Sequence, residues 1–313
     1  VYDGATSLAE AVFMALSINW NRERVIVSEG VNPYYLEVIK TYLGKNYSLE
    51  KFLLKEGISD TEQVGKIDAK TACIVIQNPN FLGNMEEVKT FVKAAKKYGV
   101  MVILHFDPIS LGLLKTPGEY EADIATAEGQ CLGLPMSFGG PHLGIFASRK
   151  KYIRNMPGRI AGKTVDREGK KGYVMVLQTR EQHIRREKAT SNICTNQQLC
   201  ALTAAIYMAL HGWEGIRGIA NKTTQKAHYL AGKFRKKGFR LPYKTNFFRE
   251  FVVEIPVGAK KAIARGVKKG YLAGIDLGKF KKEWQNHLLV SVTEKRTKEE
   301  MDELVQILLK GQD

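Results

Sequence analysis

The chain has 313 residues, 44% of them hydrophobic, and its 48 lysine and arginine residues against 32 acidic residues give a net charge of +16. This length allows a sizeable core, and two domains are a fair expectation. No apolar run approaches the roughly 18 residues that span a bilayer and no signal peptide opens the sequence, so we predict a cytoplasmic protein rather than a membrane or secreted one.

The first half of the chain predicts an α/β fold. Asp3 is a suitable N-cap for a helix, and because Val1 leads directly into that helix we expect that an N-terminal segment has been removed. Continuous apolar strands at Ala72–Ile76 and Val100–Leu104 flank a helix that Gly99 ends, which is typical of a right-handed βαβ unit in a parallel, doubly wound sheet. Other predicted elements are the strands Arg24–Ser28 and Phe52–Leu54, a helix from Pro33 to Thr41 and a short helix capped by Asp60.

A glycine-rich loop between two apolar runs is the most distinctive stretch of the sequence. Ile124–Ala127 and Leu143–Ala147 predict two buried strands, and the loop between them holds four glycines and two prolines. The sequence has no lysine between Lys115 and Lys150. We therefore expect other groups to pack against this loop, and we do not expect the loop to supply catalytic side chains.

The second half predicts a long exposed or interface loop at Pro157–Gly172, a strongly apolar helix at Thr195–Leu210 and a further helix at Gly215–Lys236. Short strands and helices then alternate in a pattern typical of a smaller α+β domain. These elements are the strands Phe251–Ile255 and Leu288–Val292 and the helices Ala259–Lys269 and Lys298–Leu309, while a further strand is predicted before the two long helices, at Tyr173–Leu177. We predict a large domain over residues 1–195 and a second unit over residues 196–313.

Several classes of site are not supported by the sequence. The six histidines lack paired metal-ligand spacing. No Walker A, G-x-S-x-G or G-x-G-x-x-G motif occurs. The thiols match no zinc pattern and are expected to be buried and reduced: Cys73, Cys131, Cys194 and Cys200. The positive charge leaves a basic nucleic-acid-binding protein as an alternative, although scattered lysines without a binding motif are better explained by a surface that attracts an acidic protein.

Two positions have the chemistry to hold parts of a phosphorylated ligand. Backbone N–H groups of Gly4–Thr6, at the start of a helix, suit a phosphate, although the same residues also suit a plain helix cap. Asp107 follows a predicted strand at the carboxyl edge of the sheet, where it can pair with a protonated ring nitrogen or merely open the turn at Pro108. Residue spacing does not decide between these interpretations.

Taken together, these segments have a familiar layout, and the chain resembles the P-protein family of the glycine cleavage system. Within that family it is similar to subunit 1 of the form that is divided between two genes, and the family's N-terminal segment is missing. The resemblance covers nearly the whole chain and is carried by these residues: Asp3–Thr6, Gln77–Gly83, Ser137–Gly144, Pro157–Ile160, Leu177–Thr195 and Val292–Thr297.

The resemblance implies the fold type I architecture of enzymes that use pyridoxal phosphate (PLP). This architecture has a large domain with a mostly parallel, seven-stranded sheet and a smaller C-terminal α+β domain. Members decarboxylate glycine and transfer its aminomethyl group to the lipoyl arm of the H-protein, with PLP held on a lysine. Here that lysine is absent from the glycine-rich loop. The resemblance thus implies a non-catalytic subunit in an α2β2 assembly, with PLP and its lysine on the partner, subunit 2.

By analogy with related PLP enzymes, Thr190, Ser191 and Asn192 reach towards the phosphate of the partner's PLP, with Arg185 or Arg186 as nearby charge, unless they only cap the following helix. Gly139 and Gly140 are expected to form an interface loop that lets the partner's backbone come close. Three further residues are candidates for the remnant of an ancestral cofactor site: Thr6, Asp107 and His142, the last of them more simply a packed loop histidine.

Two other functions stay open at this point. One is an independent PLP-dependent lyase or transaminase that uses Lys150 or Lys163. The other is the basic nucleic-acid-binding protein, which predicts steeply salt-dependent binding of DNA or RNA. No metal is expected.

Overall fold

The computed structural model describes residues 1–189, 191–193 and 196–309. Its helices are α1 (Gly4–Ile18), α2 (Pro33–Leu43), α3 (Val88–Lys97), α4 (Gln182–Arg185), α5 (Gln198–Lys236), α6 (Ala259–Val267) and α7 (Lys298–Leu309). Its strands are β1 (Arg24–Ser28), β2 (Ser48–Phe52), β3 (Leu54–Lys55), β4 (Ile58–Ser59), β5 (Thr71–Asn78), β6 (Met101–Phe106), β7 (Ile124–Glu128), β8 (Gly144–Ser148), β9 (Ile160–Val165), β10 (Lys171–Val176), β11 (Glu250–Glu254), β12 (Ile275–Asp276) and β13 (His287–Ser291).

The main sheet has the strand order β2-β1-β5-β6-β7-β8, and all neighbours pair in parallel except β7 and β8. Helices cover both faces, so β5 and β6 are buried along almost their whole length and read in sequence as continuous apolar runs. One core lies between the sheet, α1 and α2, and a second lies between the sheet and α3. The predicted doubly wound α/β fold is therefore confirmed.

The sheet has six strands in the described residues, one fewer than the seven that the resemblance implies. On the outer edge of β8, Val1 and Gly144 exchange two backbone hydrogen bonds, of 2.8 Å from the Val1 nitrogen and 3.0 Å from the Gly144 nitrogen. A single residue makes one such pair and not a strand, which is why the described sheet ends at β8.

The long exposed or interface loop predicted at 157–172 instead contains β9, which forms an antiparallel hairpin with β10. The strand predicted at Tyr173–Leu177 corresponds to β10 and is confirmed. Most residues of β9 are exposed, so this strand lacks a clear alternation of buried and exposed positions by which strands are recognised in sequence. Gly169, with φ of +80°, lies in the turn between the two strands.

Helix α5 is interrupted at Gly212, where φ is +57° and ψ is −172°. The break separates two helical segments at the position where the sequence predicts two helices. This helix is long and apolar enough overall to cross a membrane. The straight part before Gly212 has 14 residues and a length of about 21 Å, however, which is short of the roughly 30 Å of a bilayer core.

A three-stranded antiparallel sheet, β11-β13-β12, forms the last part of the chain. The second half of α5 packs with α6 and α7 around its core, which includes Phe234, Phe251 and Leu308. The main sheet takes all its strands from residues 24–148 and this small sheet from residues 250–291. The division at residue 195 stays a prediction.

Candidate active-site remnant

The carboxyl edge of the main sheet brings two predicted features, Asp107 and the N-terminus of α1, together with Glu128. The parallel strands β6 and β7 end at this edge, where Asp107 follows β6 and Glu128 is the last residue of β7. Helix α1 packs against β7 and β8 with its N-terminus at the same edge, since Gly4 contacts Glu128. This is the place where open α/β sheets bind ligands.

The Glu128 carboxylate lies on the N-terminus of α1. Its Oε2 accepts a hydrogen bond of 2.9 Å from the Gly4 backbone nitrogen. Its Oε1 accepts from the backbone nitrogens of Gln130, at 2.9 Å, and Leu143, at 3.2 Å. The side chain thereby joins α1 to both ends of the glycine-rich loop, and a Cβ on Gly4 would lie 2.9 Å from the Glu128 Cβ.

Asp3 forms the predicted N-cap of α1. Its Oδ1 accepts a hydrogen bond of 2.6 Å from the Thr6 backbone nitrogen, and Thr6 itself is buried. The first turn of α1 therefore has backbone donors bound to two carboxylates of the chain, which complement the positive end of the helix dipole. The geometry is that of a helix cap and not that of an open phosphate cradle.

Asp107 is paired on both of its carboxylate oxygens. Oδ1 accepts 2.9 Å from the Ile109 backbone nitrogen, as in a turn after a strand. Oδ2 lies 2.8 Å from Nε of Arg249, which is also 3.0 Å from Oε1 of Glu250 on β11. The Ser291 hydroxyl donates 3.2 Å to the same Glu250 oxygen. The three charged side chains form a largely buried cluster that connects the main sheet to the small one.

The pKa shifts at this edge follow from burial and pairing. Burial lowers the pKa of an arginine, but the charges of Asp107 and Glu250 outweigh it, so the pKa of Arg249 is raised and the guanidinium stays charged. Burial raises the pKa of the Cys131 thiol to about 12, so it is neutral at pH 7. Burial alone lowers the pKa of His105 to about 3, so this imidazole is neutral as well.

The glycine-rich loop is exposed in its middle. Met136 and Phe138 are 69% and 82% exposed, and a Cβ on Gly139 would have no atom within 4 Å. Gly140 has φ of +104° and precedes a cis peptide bond to Pro141. This open space suits the predicted interface role of Gly139 and Gly140, which stays a prediction.

His142 lies at the end of the loop and faces Glu128. Its Nδ1 is 3.9 Å from Oε1 of Glu128, and among the described residues this buried nitrogen has no hydrogen-bond partner. At that distance no direct hydrogen bond forms. His142 thus lies beside Glu128 without bonding to it, and its assignment to an ancestral cofactor site, with Thr6 and Asp107, stays a prediction.

The predicted phosphate-reaching residues differ in their placement. Thr190 lies outside the described residues. The Ser191 side chain hydrogen-bonds Glu10 on α1, whose pKa is raised chiefly by burial, and it also accepts 3.1 Å from the Ile193 nitrogen. Asn192 is exposed. Beside this segment an open basic concavity is lined by Thr179, Ile184, Arg185, Arg186, Glu187 and Lys188.

The remnant does not fit PLP. The loop offers no lysine for a Schiff base. The donors of Gly4 and Thr6 that would bind the phosphate already bind Glu128 and Asp3. Asp107, which would face the ring nitrogen, is bound to Arg249. The backbone donors and the aspartate that would hold the cofactor are thus already bound within the chain, and the lysine is missing from the loop.

Sequence reasoning missed the roles of two residues here. Glu128 is the last residue of β7, at the edge of the sheet where such folds bind ligands. This position was the only feature of the sequence that could have indicated its role. Arg249 lies 142 positions after Asp107 in the numbering, and no local pattern connects a strand end of one sheet with the first residues of another.

Comparison with known sequences identifies the family. The sequence model of the family described as the glycine cleavage system P-protein matches residues 1–308. A probable glycine dehydrogenase (decarboxylating) subunit 1 of Chlorobium limicola is 50% identical over 312 residues, which are 98% of this chain and 70% of that protein. The protein of the same description from Chloroherpeton thalassium is 46% identical over 311 residues, covering 98% and 69% of the two chains.

Solved structures agree with this assignment. A crystal structure of a glycine decarboxylase (P-protein) of the glycine cleavage system, in inhibitor-bound form, superposes with a TM-score of 0.93 and is 40% identical, covering 99% of this chain and 70% of that one. A NifS-like protein, 16% identical with a TM-score of 0.69, covers 99% and 80% and shares the fold alone. The expected fold type I architecture of PLP-dependent enzymes is confirmed, and the chain belongs to the P-protein family of the glycine cleavage system.

Proposed function

We propose that the chain acts as subunit 1 of glycine dehydrogenase (decarboxylating), as a non-catalytic partner of a second subunit that carries PLP. The observation that carries this proposal is that the groups that could hold a cofactor are bound within the chain, the Gly4 nitrogen by Glu128 and Asp107 by Arg249. The chain then supports the decarboxylation of glycine and the transfer of its aminomethyl group without forming the Schiff base itself. A cytoplasmic location remains a prediction.

An exposed apolar stripe supports the need for a partner subunit. Leu199, Leu202, Ile206 and Leu210 recur at three- and four-residue spacing on the first half of α5, so they share one face of the helix. They are between 51% and 81% exposed, while Cys200 and Ala204 are buried on another side. An apolar face of this kind is expected to be covered in an assembly, and an α2β2 heterotetramer with subunit 2 would provide the cover.

The basic concavity formed by residues shortly before Asn192 in the sequence supports a contact with the partner's cofactor. Arg185, Arg186 and Lys188 line it, and guanidinium and ammonium groups suit a phosphate. Of the two members of the predicted set that the structure describes, Ser191 already bonds within the chain and Asn192 is exposed. Its amide is our candidate donor towards the PLP phosphate of subunit 2.

An independent PLP enzyme receives less support from the positions of its candidate lysines. Strand β8 runs antiparallel to β7, and its last residue, Ser148, pairs with the first residue of β7, Ile124. Lys150 therefore lies near the amino edge of the parallel strands, opposite to Asp107. Lys163 is exposed on the β9–β10 hairpin. Neither lysine is at the carboxyl edge.

Borohydride trapping tests the proposal directly. The purified chain is incubated with PLP, reduced, digested and analysed by mass spectrometry, alone and after mixing with subunit 2. We expect a stoichiometric pyridoxyl adduct only on subunit 2, and exchange of the glycine carboxyl with bicarbonate only in the mixture. A stoichiometric adduct on one lysine of this chain alone, with its Schiff-base absorbance band, would support the independent enzyme instead.

A lipoyl H-protein is the further partner that we propose, with the lysine surplus as its docking surface. The net charge of +16 would attract an acidic carrier over a distance that shrinks as salt is added. Affinity of the assembled enzyme for H-protein should therefore fall steadily between low and physiological ionic strength. Affinity that does not depend on salt would exclude this docking mode.

A further inference from the structure

Both polar ends of the candidate cofactor site are occupied by groups of the chain itself. At one end a carboxylate lies on the N-terminus of a 15-residue helix, where the dipole favours an anion. At the other end a guanidinium lies on the aspartate that follows β6. The charges of Asp107, Arg249 and Glu128 all act on the Cys131 thiol, so the two ends lie near one another.

We propose that Glu128 is an internal replacement for a cofactor phosphate. Its carboxylate holds the two ends of the glycine-rich loop together and excludes phosphorylated ligands from the N-terminus of α1. The inference goes beyond the proposed function, because it concerns ligand binding by this chain and holds whichever subunit it assembles with.

The hydrogen bonds of Glu128 explain why a carboxylate is suited to this place. The carboxylate accepts from three backbone nitrogens, those of Gly4, Gln130 and Leu143, which lie in a helix and at the two ends of a loop. A phosphate would accept from donors of the same kind. Unlike a bound phosphate, the carboxylate is covalently attached to β7. The two ends of the loop are therefore held together without any ligand.

The distance between Gly4 and Glu128 explains the exclusion. The Cβ that Gly4 lacks would lie 2.9 Å from the Glu128 Cβ and 3.1 Å from the Glu128 backbone nitrogen. The strand end is thus packed directly against the first turn of α1. A ligand phosphate cannot reach the Gly4 nitrogen unless the Glu128 side chain leaves.

Removal of the side chain should open the site to a free anion. The probes are inorganic phosphate and pyridoxine 5′-phosphate, which has no aldehyde and therefore cannot modify surface lysines. Each probe is added at about 20 mM, which is 20 times the Kd of a millimolar binder. We expect that neither probe raises the Tm of the parent chain by more than about 1 °C. Glu128→Ala should lower Tm by about 4 °C, and phosphate, but not chloride at equal ionic strength, should restore about half of the loss.

Two more variants complete the test. Glu23→Ala removes an exposed carboxylate elsewhere, and its Tm should match the parent with and without phosphate. Glu128→Gln keeps the shape and one acceptor oxygen but not the charge, so it should lose part of the stability and still exclude phosphate. If Glu128→Ala does not fold, a Glu128→Gln variant as stable as the parent overturns the proposal. Equal stabilisation of the parent and of Glu128→Ala by phosphate also overturns it.

Discussion

Nε of Arg249 lies 2.8 Å from Oδ2 of Asp107, so that a strand end of the main sheet is tied to a residue just before the first strand of the small sheet. Both side chains are largely buried, at 22% and 12% exposure. Asp107 is the residue predicted to face the ring nitrogen of an ancestral cofactor, and here its carboxylate is paired with Arg249 in a structural contact.

Replacement of Arg249 by methionine should be strongly destabilising, because it leaves the carboxylates of Asp107 and Glu250 close together without a cation. We expect a loss of about 3 kcal/mol in the free energy of unfolding, measured by urea denaturation. Arg240→Met is the matched control, since Arg240 is 75% exposed and its pair with Glu254 should be worth less than about 1 kcal/mol. Equal losses in the two variants would contradict the structural role of the Asp107 pair.

Gly83→Ala should weaken the contact between the two sheets. Gly83 has φ of +86°, and a Cβ there would lie 1.9 Å from the Glu250 carbonyl oxygen, so either the turn or β11 must move. A loss of more than about 2 kcal/mol in unfolding free energy is expected. Gly65→Ala, where a Cβ meets no atom within 4 Å, should change stability by less than about 1 kcal/mol in the same denaturation assay. A tolerated Gly83→Ala would show that the close approach is not required.

His105 should make the protein sensitive to mild acid. Its ring is buried between the Tyr35 ring and the Thr126 hydroxyl, and burial lowers its pKa to about 3, whereas an unfolded histidine titrates near 6.5. The unfolded chain therefore binds a proton that the folded chain does not, and stability falls as pH drops through this window, by about 2 kcal/mol at pH 5.

The test of this pH dependence compares unfolding free energies at pH 7 and pH 5. His105→Gln should lose most of the histidine-dependent decrease, while His211→Gln, at an exposed position, should retain it. If the two variants have the same pH dependence, His105 is not the responsible group.

Charges on the apolar stripe of α5 should block assembly with subunit 2. Leu199→Asp and Leu210→Asp replace side chains that are 80% and 81% exposed, so the fold should be retained while association weakens at least tenfold. Leu272→Asp, 76% exposed near the small sheet, is the control and should assemble normally. Sedimentation of each variant with subunit 2 provides the measurement, and normal assembly of the double Leu199 and Leu210 variant would place the interface elsewhere.

Some elements were predictable because their signal is local. The βαβ unit around α3 follows from two buried apolar runs and an amphipathic helix, and the caps at Asp3 and Asp60 were confirmed. Strand β10 was predicted, as Tyr173–Leu177, but its partner β9 was missed because most of its residues are exposed and a clear alternation of buried and exposed positions is lacking.

The sequence by itself determined the family, the α/β fold and the missing lysine, because these depend on residue identities and on periodicities within single elements. Only the tertiary structure decided which side chains bind the N-terminus of α1 and Asp107. Glu128 meets Gly4 across 124 positions, and Arg249 meets Asp107 across 142. Such pairs form because parallel strands end at one edge and a second sheet packs beside it, and no spacing along the chain records that geometry.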